Sequence, residues 1–457
     1  MPLNVLLIVE QCNPERASVP LVGYNFYRSI AQLANVTLVT HSRNQAALEK
    51  AHPEQDIVYI RESNLAEQYY KFAALVSSIR GKIIWPLRLT LAYPIYAEFN
   101  RKVNALFGQD IAQGTYDIVH AITPMMPRYP VKAAQAVRTT PFILGPVNGG
   151  IPYPKGFRGI ARQEFAGLNF LRWVGRAVIP GYRQTYENAT YVLAGSGYTA
   201  RLIQSLFQLP SENIKYVYEN GIEPAFLKQL IDSAQQTEPQ QTEPQEAESQ
   251  EADLQQRTNA TGNHATASRP NDSNSSVLKL LFVGRLVPYK SADILIEAVA
   301  NLPELVRSHI HLTIVGDGPE RNKLEQQVQR SNLADKVSCT GWIPQPETLR
   351  HYQAADLFCF PSVREFGGAV VLEAMGNGLP CIVVNHGGIG EYVSDSTGFR
   401  IEPVSRRYVV TEMCDRITQL FENPNLRQTM SQQAVQRAKA FTWPVKGQQI
   451  IDIYHQA

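Results

Sequence analysis

The sequence predicts an α/β protein of two doubly wound parallel sheets, interrupted by one low-complexity insertion. Three observations lead there. Short β-branched runs alternate with helical stretches along most of the chain. Those runs are continuously apolar rather than alternating, as in strands covered on both faces by crossover helices. At 457 residues the chain is too long for one ordinary core and suits two domains.

The predicted strands fall in two sets. The first comprises Asn4–Val9, Val36–Thr40, Ile57–Ile60, Tyr116–Ala121, Phe142–Leu144, Tyr191–Ala194 and Ile214–Tyr218. The second comprises Leu278–Val283, His311–Val315, Val337–Thr340, Leu357–Phe360, Cys381–Val384 and Gly398–Ile401. Between the sets, residues 231–276 are mostly Gln, Glu, Pro, Thr, Ser and Asn, with a duplicated Gln-Thr-Glu-Pro-Gln. Such a segment buries too little apolar surface to offset the entropy of ordering it, and is expected to be a disordered surface insertion. The expected domains are therefore residues 1–230 and 277–457. The final helix of the chain is a candidate to pack back on the first domain.

Composition narrows the function classes. Lys and Arg number 43 against 41 Asp and Glu, a net charge of +2, so no basic field points to nucleic acid. Five cysteines at 12, 339, 359, 381 and 414 form neither an even framework nor a Cys-x-x-Cys pair. They suit a reduced cytoplasmic setting. The first residues lack the basic and small-residue features of a signal peptide, and no run of 18 uncharged apolar residues exists. A soluble protein, or one peripheral on the cytoplasmic membrane face, is expected.

The chemistry-bearing motifs follow strand ends, where doubly wound sheets bind ligands. Glu365-Phe-Gly-Gly-Ala-Val-Val-Leu-Glu373 reads as a strand end, a turn, a glycine pair and a helix start. Gly367 and Gly368 let backbone N–H groups approach a ligand, and the helix N-terminus at Ala369 favours phosphate. Glu365 and Glu373 can accept hydrogen bonds from sugar or ribose hydroxyls. A cap and a solvated carboxylate are the bland alternatives for them. Gly284-Arg285-Leu-Val-Pro-Tyr-Lys290 places two cations after the first strand of the second set, suited to a diphosphate leaving group without a metal. Seen alone, they are equally an ordinary pair of surface cations. Gly316-Asp317-Gly318 reads as a structural turn, and Ile343 as part of a base pocket. Gly387-Gly-Ile-Gly-Glu391 brings backbone, and Glu391, near the same place.

In combination these motifs resemble the retaining glycosyltransferases of family four, which have the GT-B architecture. The likeness is dense over residues 278–402 and looser elsewhere. It implies two Rossmann-like domains facing a central cleft and a nucleotide-sugar donor, with no cofactor and no essential metal; no Asp-x-Asp occurs in the chain. It implies that Arg285 and Lys290 hold the donor diphosphate, Glu365 the sugar and Glu373 the ribose. The backbone of Phe366, Gly367, Gly368 and Ala369 would line the site, and His120 would stand in the cleft near the transferred sugar. A single glycine, Gly23, stands where the family often has a pair beside the donor phosphate. Ser291 replaces the usual glycine after the lysine, and Phe-Gly-Gly replaces Gly-Phe-Gly. A non-hydrolysing sugar-nucleotide epimerase and an inactive GT-B binding subunit are the competing readings. The second would be marked by loss of Arg285, Lys290 or Glu365, and all three are present.

The acceptor is expected to be a sugar or a lipid-linked sugar. Between Ile151 and Arg183 stand Lys155, Arg158, Arg162, Arg172, Arg176 and Arg183 against one acid, Glu164, interleaved with Phe157, Phe165, Phe170 and Trp173. The stretch Tyr69–Phe107 adds Trp85, several tyrosines and few acids. Such mixtures suit an anionic bilayer and predict a peripheral membrane contact. The competing reading, solvated arginines over core aromatics, is favoured by the lack of one continuous apolar face.

Overall fold

Each of the thirteen predicted runs is a strand in the computed structural model, which describes residues 2–227 and 277–457 except residues 56, 80, 81, 124 and 126–128. The expected insertion therefore lies outside the described residues. The strands are β1 (Asn4–Ile8), β2 (Asn35–His41), β3 (Ile57–Ile60), β4 (Ser78–Ile79), β5 (Lys82–Ile83), β6 (Ile118–Ala121), β7 (Phe142–Val147), β8 (Tyr191–Ala194), β9 (Ile214–Tyr216), β10 (Leu278–Val283), β11 (Ile310–Val315), β12 (Val337–Gly341), β13 (Leu357–Phe360), β14 (Cys381–Val384) and β15 (Gly398–Ile401). Seven form a sheet in the order β3-β2-β1-β6-β7-β8-β9, and six form another in the order β12-β11-β10-β13-β14-β15. All neighbours in both sheets are parallel. The short antiparallel pair β4–β5 was not foreseen.

The parallel topology follows from the apolar runs. Every residue of β6, β7, β13 and β14 is buried, which is possible only with helices on both faces. In each sheet the winding reverses beside the first strand, between β1 and β6 and between β10 and β13. The register there pairs Val5 with Ile118 and Leu280 with Leu357. Crevices open at the carboxyl ends of such strand pairs. Arg285 and Glu365 stand just beyond β10 and β13, at the reversal in the second sheet.

Helix Trp443–Tyr454 at the end of the chain packs on helix Val19–Ala31 of the first domain. Trp443, Ile450, Ile451, Ile453 and Tyr454 join the core cluster built on Val5, Leu7 and Val9. The chain crosses back beside its outward crossing: Ile222 N–H donates to Phe441 O at 3.0 Å and Trp443 N–H donates to Ile222 O at 3.2 Å.

The basic and aromatic stretch differs from the favoured reading. Helix Phe170–Val178 exposes Phe170, Trp173, Val174 and Val178, whereas Arg172 and Arg176 are half-buried. Spacings of three and four residues put the apolar set on one face, so a continuous apolar face does exist. The sequence does not say which face a short helix turns to its neighbours. All five cysteines are free. Among the described residues no helix is long and apolar enough to cross a membrane.

Candidate functional site

The loops after β10, β13 and β14 meet at one place. Beyond β10, Arg285 is exposed, and its Nη2 donates to Tyr289 Oη at 3.4 Å. A single 3-10 turn, Pro288–Lys290, then aims Lys290 at Glu365 beyond β13, where the two form an ion pair with both side chains largely shielded. Ser362 Oγ adds a hydrogen bond to the same Glu365 oxygen at 3.2 Å. The Lys290 ammonium also lies 4.7 Å from the Phe360 ring centroid, a favourable cation–π distance.

Gly368 adopts φ 58° as the cap of helix Ala369–Gly376, so the chain turns sharply from Glu365 into a helix N-terminus. The backbone at Phe366–Gly367 is held from both sides. Gly388 N–H donates to Glu365 O at 3.2 Å and Phe366 O at 3.1 Å. Gly387 has φ 81°, and a Cβ there would lie 1.9 Å from Glu365 O. The Gly387–Gly388 pair is thus required by this backbone crossing. Glu373, further along the helix, is buried and accepts a hydrogen bond from Tyr352 Oη at 2.8 Å. Ile343 lies on the loop after β12, partly buried against the core of the same domain.

Three segments of the first domain close on this loop. Asn148 Nδ2 donates to Phe366 O at 2.9 Å, while its Oδ1 accepts from Ser196 and Thr199. Arg364 Nε donates to Ile151 O at 3.0 Å, and His386 Nε2 donates to Pro152 O at 2.8 Å. A Cβ on Gly367 would lie 1.9 Å from Asn220 Nδ2 and 2.5 Å from Glu219 Oε1, so Glu219 sits directly against the Phe366–Gly367 backbone. Burial and the Glu365 charge push the Glu219 carboxyl up to about 7, opposed by Asn148 and Lys446. Burial lowers the Lys446 amine to about 7, with Glu219 opposing; its Nζ donates to Tyr218 O at 2.6 Å. Glu219 and Lys446 were missed in the sequence, whereas Asn148 lies in Gly145-Pro-Val-Asn-Gly149-Gly150, a loop that the family resemblance puts at the acceptor side or the interdomain cleft. Only the odd carboxylate before Asn220-Gly221 offered a signal.

Other expected members stand elsewhere. His120 is at the end of β6 but fully buried, not in an open cleft. Its Nε2–H donates to Gly145 O at 2.7 Å, and its Nδ1 lies 2.6 Å from Tyr454 Oη. Burial lowers it to about 4, so it is neutral near pH 7 with both nitrogens occupied. Its environment is a packing one, created by the returning last helix. Gly23 is buried in helix Val19–Ala31, where a Cβ would lie 2.2 Å from Gln11 O. Close packing under the loop after β1 accounts for that glycine. Glu391 Oε1 accepts from Gly197 N–H at 2.8 Å, at the N-terminus of helix Gly197–Phe207. Burial raises its carboxyl, and the bonds from Gly197 and Tyr218 lower it. Glu391 therefore ties the two domains together. Among the described residues no group of three or more His, Cys, Asp or Glu is placed to hold a metal ion.

Residues 264–437 match the family model described as Glycosyl transferases group 1. That match lies almost wholly within the second domain. Similar proteins include a D-inositol 3-phosphate glycosyltransferase of Kribbella flavida, 31% identical over 208 residues, covering 43% of this chain and 48% of that one. Another is an alpha-D-kanosaminyltransferase of Streptomyces kanamyceticus, 30% identical over 178 residues, covering 39% of this chain and 45% of that one. The chain thus spans about half the length of the curated relatives it matches. The whole architecture, not only the matched region, recurs in solved structures. Anabaena HepE in complex with UDP has a TM-score of 0.60 at 17% identity, covering 99% of this chain and 100% of its own. Sucrose-phosphate synthase from Thermosynechococcus elongatus has a TM-score of 0.59 at 18% identity, covering 99% and 98%. These chains are GT-B folds, and so is this one.

Proposed function

We propose that the chain is a glycosyltransferase that moves a hexose-type sugar from a nucleoside-diphosphate donor to a hydroxyl of a sugar or lipid-linked acceptor. The configuration at the anomeric carbon is retained and no metal is essential. Synthesis of a glycan, glycolipid or exopolysaccharide at the cytoplasmic side is the setting that suits it. The observation that carries this reading is the Lys290–Glu365 ion pair just ahead of the helix N-terminus at Ala369, at the reversal of the second sheet, with Arg285 on the same loop as Lys290. UDP in the structurally similar Anabaena protein supports a nucleotide donor.

In the reaction, the bond from the anomeric carbon to the diphosphate breaks, and its electron pair leaves on a phosphate oxygen. A bond to the acceptor oxygen forms, and the hydroxyl proton is taken up by the departing diphosphate or by water. Charge grows on the diphosphate. The helix N-terminus is a fixed set of donors suited to meet it, and exposed Arg285 is free to swing onto it. Lys290 would divide its charge between the diphosphate and Glu365. Glu365, held by Lys290 and Ser362, would present a fixed carboxylate to sugar hydroxyls.

A screen of nucleotide sugars, read by release of nucleoside diphosphate and by NMR of the product anomer, tests this. Release with retained configuration is expected, unchanged by EDTA. An epimerised nucleotide sugar, an inverted product or loss of activity in EDTA would each overturn the corresponding part. R285A and K290A should each lower turnover by about 10²-fold, the scale for one oxyanion-type donor. R285A should leave the melting temperature unchanged, because the side chain is exposed.

A further inference from the structure

Helix Phe170–Val178 wears its apolar face on the outside. Trp173 is 71% exposed, Val178 67% and Phe170 57%, at spacings that align them along one side. A stripe of this kind ordinarily faces a core; here no element of the described residues covers it. The stripe is also not isolated. Helix Trp85–Leu91 packs beside helix Phe170–Val178 and leaves the stripe exposed, and helix Asn64–Val76 packs against helix Trp85–Leu91. Those neighbours add exposed Trp85, Phe72, Leu75 and Val76.

The stripe's surroundings are cationic. Lys155, Arg158 and Arg162 are exposed just ahead of it, and none of them is in an ion pair with the described residues. Helix Arg158–Gln163, which carries two of them, packs on the turn Ala166–Asn169 that leads into helix Phe170–Val178. Between residues 151 and 183 the one acid is Glu164.

We propose that this surface, Trp173 and its stripe flanked by Lys155, Arg158 and Arg162, docks the protein on an anionic lipid bilayer. Tryptophan at a helix surface suits the headgroup level, where its ring is half in hydrocarbon and half in water. Unpaired cations beside an apolar stripe gain from anionic headgroups what a neutral surface does not give them. Charge argues against a second copy as the occupant. Face-to-face pairing would bring the same three cations together with Glu164 alone to offset them. The basic segment also begins beside the candidate site. Ile151 and Pro152, immediately before the basic segment, accept hydrogen bonds from Arg364 and His386 around the candidate site. The docking itself does not depend on the proposed transfer reaction.

Sedimentation of the full chain with vesicles tests the proposal, using phosphatidylcholine alone or mixed with phosphatidylglycerol. Binding to the mixed vesicles at low salt is expected, weakening as salt rises. W173S/V178S changes only exposed side chains and should lower the partition constant at least about tenfold. R158E/R162E should lower it by about fivefold per cation removed and flatten the salt dependence. Thermal melts of both variants matching the parent would establish that they fold. No binding to mixed vesicles at low salt would overturn the proposal, and so would equal binding by parent and variants. A dimer in solution that W173S/V178S dissolves would overturn it in favour of a second copy.

Discussion

Glu219 and Glu365 approach the same short backbone from opposite domains, and only one of them has a cation in contact. Lys290 pairs with Glu365, whereas Glu219 has Asn148 as its hydrogen-bond partner and Lys446 nearby. Burial and the neighbouring Glu365 charge therefore raise Glu219 from its ordinary 4.5 to about 7. Between those values the folded chain keeps a proton that the unfolded chain has lost, so stability falls as pH rises through that window. Below about 4.5 both states hold the proton and nothing is lost. E219Q removes the titration. The parent should lose stability relative to E219Q as pH rises from about 4.5 to about 7, with a constant difference above. Denaturant unfolding at a series of pH values measures this. Parallel profiles would mean that Glu219 does not titrate in that range. His120 shows the other side of burial. Only the family resemblance put it in the cleft, and Tyr454, 334 residues later, lies against its ring.

At the scale of elements, what was legible in the sequence was local. The strands of both parallel sheets could be read, because an apolar β-branched run reports its own burial, whereas the two-residue strands β4 and β5 carry no such run. The loops after β10, β13 and β14 could be read too, because their glycines and charges lie within a few residues of one another. Specific contacts across the chain could not: Asn148 meets Phe366 across 218 residues, and neither loop names the other as its partner. Two loop positions turn this local legibility into tests. Ser291, where the family commonly has glycine, adopts φ 55°. A left-handed non-glycine residue costs about 1–2 kcal/mol, while glycine costs the unfolded chain about 0.4–1 kcal/mol of entropy. S291G should therefore raise stability by about 1 kcal/mol or less, and a clear loss would show that its buried hydroxyl contributes more than the backbone costs. Gly387 is the opposite case. G387A must accommodate φ 81° and a backbone oxygen 1.9 Å from the new carbon. The loop must shift, at a cost of about 2 kcal/mol or more. A parent-like melt for G387A would remove the backbone crossing as the reason for the glycine.

Across the whole molecule, the last helix decides whether the first domain is complete. Trp443 is buried edge-on to Phe26, with ring centroids 5.2 Å apart, and it fills the space above Gly221, where a Cβ would lie 2.8 Å from its ring. Lys446 bonds the Tyr218 carbonyl and Tyr454 reaches His120, so the same helix supports the segment carrying Glu219 and the end of β6. The core cluster built on β1 thus takes part of its apolar content from residues more than four hundred positions away. Replacing Trp443 with alanine should cost about 3–5 kcal/mol, the range for a large aromatic removed from a core. Deleting residues 442–457 should go further, exposing Val5, Leu7 and the buried face of helix Val19–Ala31, and leave the first domain unable to fold cooperatively. Amide hydrogen exchange localises the effect. In W443A, protection should fall first in β1 and helix Val19–Ala31, while β10, β11 and β13 keep theirs. The β10, β11 and β13 cores are built from residues 278–441 with few additions from the first domain. If protection instead fell equally in both sheets, the two domains would unfold as one unit, and the last helix would be a strap across the molecule instead of a missing piece of the first core.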